Sequence, residues 1–143
     1  MPTRKIKQVI EDQDILTAPR ELSVREAAQR MAQARVGAIM ITDDDQLVGI
    51  FTERDALVRV LSAGLNAASV TLEEVMTPNP MTSSPEVPLG HALHLMFEGG
   101  FRHVPIVEDG RPVGMISARD ALGPELVAFE HELEQRDSIT GLL

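Results

Sequence analysis

Two short motifs of the same type stand at equivalent points of the chain and could do chemistry. They are Thr52-x-x-Asp55 and Ser117-x-x-Asp120, and an arginine precedes each aspartate, Arg54 and Arg119 respectively. Such a pair forms a capping box at the start of a helix, where its two side chains bond to backbone N–H groups. The carboxylate can also accept two vicinal ribose hydroxyls, and a helix N-terminus attracts phosphate. The motifs therefore predict either a helix cap alone or, in addition, a site for a ribose phosphate.

An internal repeat sets the positions of both motifs. Residues 27–57 align with residues 92–122 at an offset of 65 positions, and ten of the 31 pairs are identical. Chance recurrence of an apolar pattern would not repeat glycine, arginine and aspartate at fixed offsets, so we infer a duplication. Gly49 and Gly114 stand three residues before the motif hydroxyls. Because glycine lacks a side chain, it lets another group approach the strand backbone.

Each repeat predicts the same order of elements, β-α-β-β-α. A short extended piece leads to an amphipathic helix, then to two apolar runs joined by turn residues, then to a second helix. The strands fall at 15–17, 38–42 and 47–52 in the first repeat and at 81–83, 104–108 and 112–117 in the second. The predicted fold class is therefore α+β (mixed α/β), built from two such repeats.

The repeats divide the chain into five parts. An N-terminal segment covers residues 1–12, the first repeat 13–66, a linker 67–80, the second repeat 81–123, and a C-terminal helix and tail 124–143. The tail helix carries Leu126, Phe129 and Leu133 at helical spacing. From this spacing, the tail helix could pack on its own domain or on a second subunit, and the two alternatives are equally favoured.

The composition excludes several classes of protein. The chain has 143 residues with 43% hydrophobic side chains, which suits one ordinary folded core. Its net charge of −9 and its lack of Tyr and Trp disfavour nucleic acid as a partner. The absence of cysteine excludes disulfides, thiol catalysis and cysteine-ligated metals. Because no run resembles a membrane span or a signal peptide, we expect a cytoplasmic protein with no membrane partner.

Two clusters could bind metal ions, but each has a more ordinary explanation. His91-x-x-His94 with Glu98 lies on one helical face, and Asp43-Asp44-Asp45 lies between two strands. Zinc needs at least three protein ligands, and a calcium loop needs a glycine and a distal glutamate. A surface helix and a solvated turn are therefore favoured, and we predict no metal site and no catalytic residue. The enzyme alternative is a small metal-assisted hydrolase that uses His91, His94 and an aspartate.

The repeated Gly-hydrophobic-x-[Thr/Ser]-x-x-Asp ending, together with Arg102-His-Val-Pro-Ile106, closely resembles paired cystathionine-β-synthase-type (CBS) domains. The resemblance covers about residues 13–123. It implies two repeats packed with pseudo-twofold symmetry, a composite cleft on each side, and a stand-alone, bacterial-type regulatory module that is not an enzyme. It also implies a homodimer, an unknown regulated protein, and no obligatory cofactor. The implied regulatory ligand contains adenosine: AMP, ADP, ATP, NAD or S-adenosylmethionine.

The resemblance also assigns residues to the two clefts. In the first cleft, it implies Thr52 and Asp55 at the ribose. The adenine would be framed by Thr82, Ser83, Val104 and Pro105, and the phosphates would lie near Arg102, His103 and Arg119.

The second cleft would hold the ribose through Ser117 and Asp120. The adenine base would lie against Thr17, Ala18, Gly37 and Ala38, and the phosphates would lie near Arg54. Because Gly37 and Ala38 replace Arg102 and His103 there, we expect the first cleft to bind phosphorylated ligands more tightly. The remaining alternative is an adaptor protein with empty clefts, in which Asp55 and Asp120 only cap helices.

Overall fold

The computed structural model describes residues 4–121, and for Asp120 and Ala121 it describes the backbone alone. The tail helix predicted from residue 124 onward lies outside this range. The same holds for the predicted end of the last repeat helix at Gly123-Pro124.

The described chain alternates helices with short strands. The helices are α1 (Ile6–Ile10), α2 (Val24–Ala34), α3 (Glu53–Asp55), which continues as a π-helical segment, π1 (Ala56–Leu61), then α4 (Leu72–Val75), α5 (Leu89–Gly99) and α6 (Ala118–Ala121). The strands are β1 (Thr17–Ala18), β2 (Ala38–Asp43), β3 (Gln46–Thr52), β4 (Thr77–Pro78), β5 (His103–Glu108) and β6 (Arg111–Ser117). The mixed helix and sheet architecture confirms the predicted fold class.

The strands form one sheet in each repeat. The first sheet has the order β1-β2-β3-β4, with β1 parallel to β2 and the other pairs antiparallel. The second sheet contains β5 and β6. Where β1 would have its counterpart, Ser83 forms an isolated parallel bridge with Ile106. The strand predicted at 81–83 is therefore reduced to one bridge.

Both predicted hairpins are confirmed, and both use two-residue turns of left-handed backbone. Asp44 and Asp45 have φ of 51° and 63°, and Asp109 and Gly110 have φ of 51° and 80°. Turns with two positive φ angles match the twist of a hairpin. The acidic run at Asp43 to Asp45 therefore serves as a turn between β2 and β3.

The linker region contributes to the first sheet. Thr71 N–H donates to the Glu74 carboxylate at 2.8 Å, as in a capping box, and α4 begins there. Strand β4 then pairs with β3, with Pro78 opposite Gly49 and Thr77 opposite Ile50. Nothing in the apolar pattern indicated this two-residue edge strand.

The helix that precedes each repeat packs into the core of the other repeat. Ile6 and Ile10 of α1 lie in the second core with residues of α5, β5 and β6. Leu72 and Val75 of α4 lie in the first core with residues of α2, β2 and β3. The two repeats therefore exchange their leading helices, which ties the halves of the molecule together.

The exchanged segments explain why glycine is needed at positions 49 and 114. A Cβ on Gly49 would collide with the Met76 side chain, and a Cβ on Gly114 would lie 2.6 Å from Cγ2 of Ile10. The close approach predicted at these glycines is therefore present. The group that approaches is an apolar side chain of the exchanged segment.

Candidate functional site

The first cavity, of about 480 Å³, lies where the two repeats meet at the starts of α3 and β5. The first repeat contributes Thr52, Arg54 and Asp55, and the second contributes Arg102 and His103. The segment after β4 closes a further side with Asn79, Pro80 and Met81. The hydroxyl and carboxylate predicted for the first cleft therefore come together around one space with Arg102 and His103, two of its three predicted cations.

Asp55 forms the predicted capping box and retains capacity to bind a ligand. Its Oδ2 accepts hydrogen bonds from Thr52 N–H at 3.0 Å and from the Thr52 hydroxyl at 3.1 Å. Thr52 Oγ1 in turn accepts from Asp55 N–H at 3.2 Å. A carboxylate offers about four acceptor positions, so Oδ1 can still accept hydroxyl groups. The box fixes the orientation of the Asp55 side chain, which is 13% exposed.

Arg59 connects Asp55 to the exchanged helix α4. Its Nε lies 3.5 Å from Asp55 Oδ1. Its Nη1 donates to the carbonyl oxygens of Val75 and Met76 at 3.2 and 3.0 Å. These two carbonyls belong to the C-terminal end of α4, so Arg59 holds the carboxylate and the linker in one network. The equivalent position in the second repeat is Pro124.

The second cavity, of about 810 Å³, lies between the start of β2 and the start of α6. Gly37 and Ala38 line it as predicted, together with Ser117 and the arginines Arg35 and Arg119. A further wall comes from residues 13–16, just before β1. The side chain of Asp120, which the sequence motif assigned to this cleft, lies outside the described part of the chain.

The two cavities share one wall. Glu53, Arg102 and His103 line both of them. A Cβ on Gly37 would lie 3.2 Å from Glu53 Oε1 and 3.4 Å from His103 Nε2, so these side chains pack against the glycine. The backbone supports the wall on both sides, because Glu53 N–H donates to Gly37 O and Ala118 N–H donates to Arg102 O, both at 2.9 Å.

The shared wall corrects one expectation. Arg102 and His103 were expected to distinguish the first cleft from the second, but they border both cavities. The reason is their place at the start of β5, where the two repeats meet and Gly37 leaves room for His103. A surplus of cations in the first cavity therefore no longer supports tighter phosphate binding there.

The two motif arginines are exchanged relative to the prediction. Arg54 lines the first cavity, whereas it was assigned to the second; Arg119 lines the second, whereas it was assigned to the first. Each arginine lies in the same helix turn as its own hydroxyl, so it remains on the same side of the molecule. Among residues 4–121, neither these two guanidinium groups nor that of Arg102 takes part in a hydrogen bond or ion pair.

The four residues expected to frame adenine in the first cleft line neither cavity. Val104 and Pro105 are fully buried, and Val104 belongs to the second core. Ser83 is 7% exposed and pairs through its backbone with Pro105 and Val107, while its buried Oγ finds no hydrogen-bond partner in the described chain. Thr82 is exposed and borders neither cavity.

Two of the four residues expected at the adenine base in the second cleft, Thr17 and Ala18, do not border that cavity. Both lie in β1, and Ala18 is buried in the first core. The residues just before each predicted position take their place: Ile15 and Leu16 in the second cavity, and Met81 in the first. Ala18 and Val104 instead lie in the two cores, which sequence alignment of the repeats did not reveal.

The candidate metal ligands do not assemble into a site. His94 Nε2 contacts Glu98 Oε1 at 2.9 Å on the exposed face of α5. Within the described residues, no group of three or more His, Asp or Glu side chains could hold a metal ion. In the same range, no helix has the length and apolar character needed to cross a membrane.

The fold and the paired cavities define a domain built from two tandem repeats, and comparison with known proteins identifies its family. The family model of the CBS domain matches residues 6–62 and again residues 72–123. The chain therefore belongs to the CBS domain family and contains two copies of the domain. This confirms the resemblance seen in the repeated motifs.

Relatives with curated descriptions and solved structures agree with this assignment. The CBS domain-containing protein CBSCBSPB1 of Arabidopsis thaliana is 35% identical over 125 residues, which are 87% of this chain and 23% of that protein. The chain thus spans about a quarter of the length of that relative.

Two solved structures with the same fold contain bound ligands. The CBS domain protein PAE2072 of Pyrobaculum aerophilum, complexed with AMP, has a TM-score of 0.75 and 25% identity, over 82% of this chain and 89% of that one. The CBS domain pair of protein MJ0100, in complex with 5′-methylthioadenosine and S-adenosyl-L-methionine, has a TM-score of 0.76 and 27% identity, over 90% and 99% of the two chains.

Proposed function

We propose that the chain is a regulatory module, without catalytic activity, that binds adenosine-containing ligands in its two cavities. The observation that carries this proposal is the first cavity, in which the oriented carboxylate of Asp55 borders one space with Arg54 and Arg102, whose guanidinium groups have no partner within the described residues. Both cavity volumes fall in the range of about 300–1,000 Å³ that is typical of small-molecule sites.

The chemistry of the first cavity suits a ribose phosphate. Asp55 Oδ1 offers acceptor positions to the two ribose hydroxyls, and the arginines offer charge-assisted hydrogen bonds to a phosphate. Apolar surface from Ile50, Pro80 and Met81 is available to a purine ring. The solved relatives whose complexes contain AMP, 5′-methylthioadenosine or S-adenosyl-L-methionine have adenosine in common, which supports an adenosine ligand here.

Calorimetric titration tests the proposal. We expect AMP, ATP, NAD or S-adenosylmethionine to bind. Guanosine monophosphate, the control ligand that differs from AMP in its base, should bind more weakly. Asp55→Ala should weaken binding at least about tenfold, because a hydrogen bond to a charged group contributes about 1.5–3 kcal/mol. It should also lower stability by about 0.5–2 kcal/mol through the lost cap.

The control variant is Glu74→Ala, which removes the carboxylate of the α4 capping box and lines neither cavity. It should lower stability with no effect on affinity. If Asp55→Ala behaves in the same way as Glu74→Ala, Asp55 only caps its helix. If no adenosine ligand binds the unaltered chain, the adaptor alternative with empty clefts holds instead.

We also propose that the chain forms a homodimer through the exposed face of π1. Leu57, Val58 and Leu61 lie exposed on this segment, with Leu61 exposed to 74%. A contiguous apolar patch on a helix marks an interaction surface, and the family resemblance points to a second copy as its occupant. Leu61→Glu should shift the chain toward monomer in sedimentation, and circular dichroism should show that the fold is retained. An unaltered chain that is monomeric would contradict the homodimer.

A further inference from the structure

The wall common to both cavities links their electrostatics. Arg102, His103 and Glu53 face a ligand in either cavity, and Arg102 has no hydrogen-bond or salt-bridge partner among the described residues. A guanidinium group can bind one phosphate in a bidentate manner. Once a phosphate in one cavity engages Arg102 in this way, a phosphate in the other cavity loses that partner.

Each cavity also keeps a cation of its own. Arg54 lines only the first cavity, and Arg35 and Arg119 line only the second. An anion can therefore still bind in the second cavity to be filled. It does so against the repulsion of the first anion across the shared wall, because like charges repel each other. An uncharged ligand meets neither penalty.

We infer that phosphate-bearing ligands in the two cavities antagonise each other through Arg102. Filling both cavities with AMP should be at least about tenfold less favourable than two independent binding events, whereas uncharged adenosine should fill both cavities independently. The effect is reciprocal, because a coupling free energy between two sites acts equally on both ligands. The module would then respond to anionic ligands over a wider concentration range than two independent sites would. This inference rests on the proposed binding of adenosine ligands.

Two blocked variants supply the affinity of each cavity alone. Met81 is 53% exposed and lines only the first cavity, so Met81→Trp should place an indole ring in that cavity and obstruct ligand binding there. Ala34, exposed at the end of α2, lines only the second cavity, and Ala34→Trp should obstruct binding there in the same way. Titrations of these variants give the intrinsic constants. The product of the two intrinsic association constants is then compared with the product measured for both steps on the unaltered chain.

For AMP, the product of the two association constants measured on the unaltered chain should be at least about tenfold lower than the product of the two intrinsic association constants. For adenosine, the two products should agree. Arg102→Ala should weaken AMP binding in both cavities and make the AMP products agree as well. Arg54→Ala, the matched control, should weaken AMP in the first cavity only, and the shortfall should persist.

The outcomes separate the two proposals. Agreement of the AMP products on the unaltered chain, with both cavities filled, would overturn the antagonism and leave the proposed function intact. A shortfall that persists in Arg102→Ala would overturn the role of Arg102. Failure of both AMP and adenosine to bind would overturn the proposed function itself. Circular dichroism of each variant verifies that the fold is retained.

Discussion

The two repeats have the same plan, but they complete their sheets by different means. In the first repeat, β4 adds a short backbone strand beside Gly49 and Ile50. In the second repeat, the side chain of Gln13 takes this place beside Met115, the counterpart of Ile50. Its amide accepts from Met115 N–H at 2.9 Å and donates to Met115 O at 2.8 Å. One glutamine side chain thus forms the hydrogen bonds that a strand residue would form. The backbone N–H and C=O groups at this sheet edge need hydrogen-bond partners, and either a strand or a side chain can supply them.

The repeats also differ in how tightly the exchanged helix covers each glycine. A Cβ at Gly49 would collide with the flexible end of Met76 and lie 3.2 Å from the Thr77 carbonyl oxygen, whereas a Cβ at Gly114 would meet the branched stem of Ile10, with its Cβ at 2.7 Å. A methionine can change its rotamer, but a β-branched side chain close to the backbone is stiff. The second repeat is therefore the less tolerant of the two at this position.

The largest expected effect tests this difference between Gly49 and Gly114 directly. Gly114→Ala should destabilise the protein by about 1–3 kcal/mol, the range of overpacking in a core. Gly49→Ala should cost less than about 1 kcal/mol, because Met76 can move and alanine lowers the entropy of the unfolded chain. Urea denaturation of both variants measures the difference. Equal losses for the two variants would show that the flexibility of the covering side chain is unimportant.

A somewhat smaller effect is expected at Gln13. Gln13→Ala should destabilise the protein by about 1–2 kcal/mol, because both backbone groups of Met115 lose their partner and hydrogen bonds contribute about 0.5–1.5 kcal/mol each. Gln13→Glu, the closest isostere, can accept from Met115 N–H but cannot donate to its carbonyl when ionised. It should be no more stable than the wild type. A Gln13→Ala variant with unchanged stability would contradict the strand-like role of this side chain.

Each cavity is lined by an arginine that does not line the other, so the two cavities can be tested separately. Arg54→Ala should weaken AMP binding in the first cavity by about tenfold, and Arg119→Ala should do the same in the second, since tenfold corresponds to about 1.4 kcal/mol. Amide signals of Thr52 and Ser117 in a nuclear magnetic resonance titration report the two cavities individually. The family resemblance implies these arginines in the opposite clefts and so predicts the reverse pattern, and the same titration decides between the two assignments.

The smallest effect concerns the C-terminal caps of α2 and α5. Arg35 adopts the left-handed conformation with φ of 56°, where the second repeat has Gly100 with φ of 70°. Arg35→Gly should raise stability by a few tenths of a kcal/mol to about 1 kcal/mol, because left-handed backbone is costly for side chains other than glycine. Thermal unfolding measures the change. A clear loss of stability would mean that the Arg35 side chain makes a stabilising interaction that outweighs the strain.

Much of this architecture is predictable from the sequence, because it depends on local rules. The hairpins follow from apolar runs around turn residues, and the capping box at Thr52 follows from its spacing to Asp55. The duplication itself is visible as identical residues at a constant offset. These features need no knowledge of how one repeat packs on the other.

The details of the cavities depend on the packing between repeats, which spacing does not encode. Whether Arg54 faces its own cavity or the neighbouring one depends on the relative position of the two hairpins. Strand residues such as Ala18 and Val104 turn into the cores, so the residues before them border the cavities. The small side chain of Gly37 signals a close approach, but its partners, Glu53 and His103, come from different repeats.

A crystal structure of the chain grown with AMP tests the central claim most directly. We predict the two ribose hydroxyls of AMP within hydrogen-bonding distance of Asp55 in the first cavity, at about 2.5–3.0 Å between oxygens. We predict its phosphate beside Arg54 or Arg102. AMP bound away from both cavities, or cavities without AMP at a concentration that saturates binding in solution, would contradict the account.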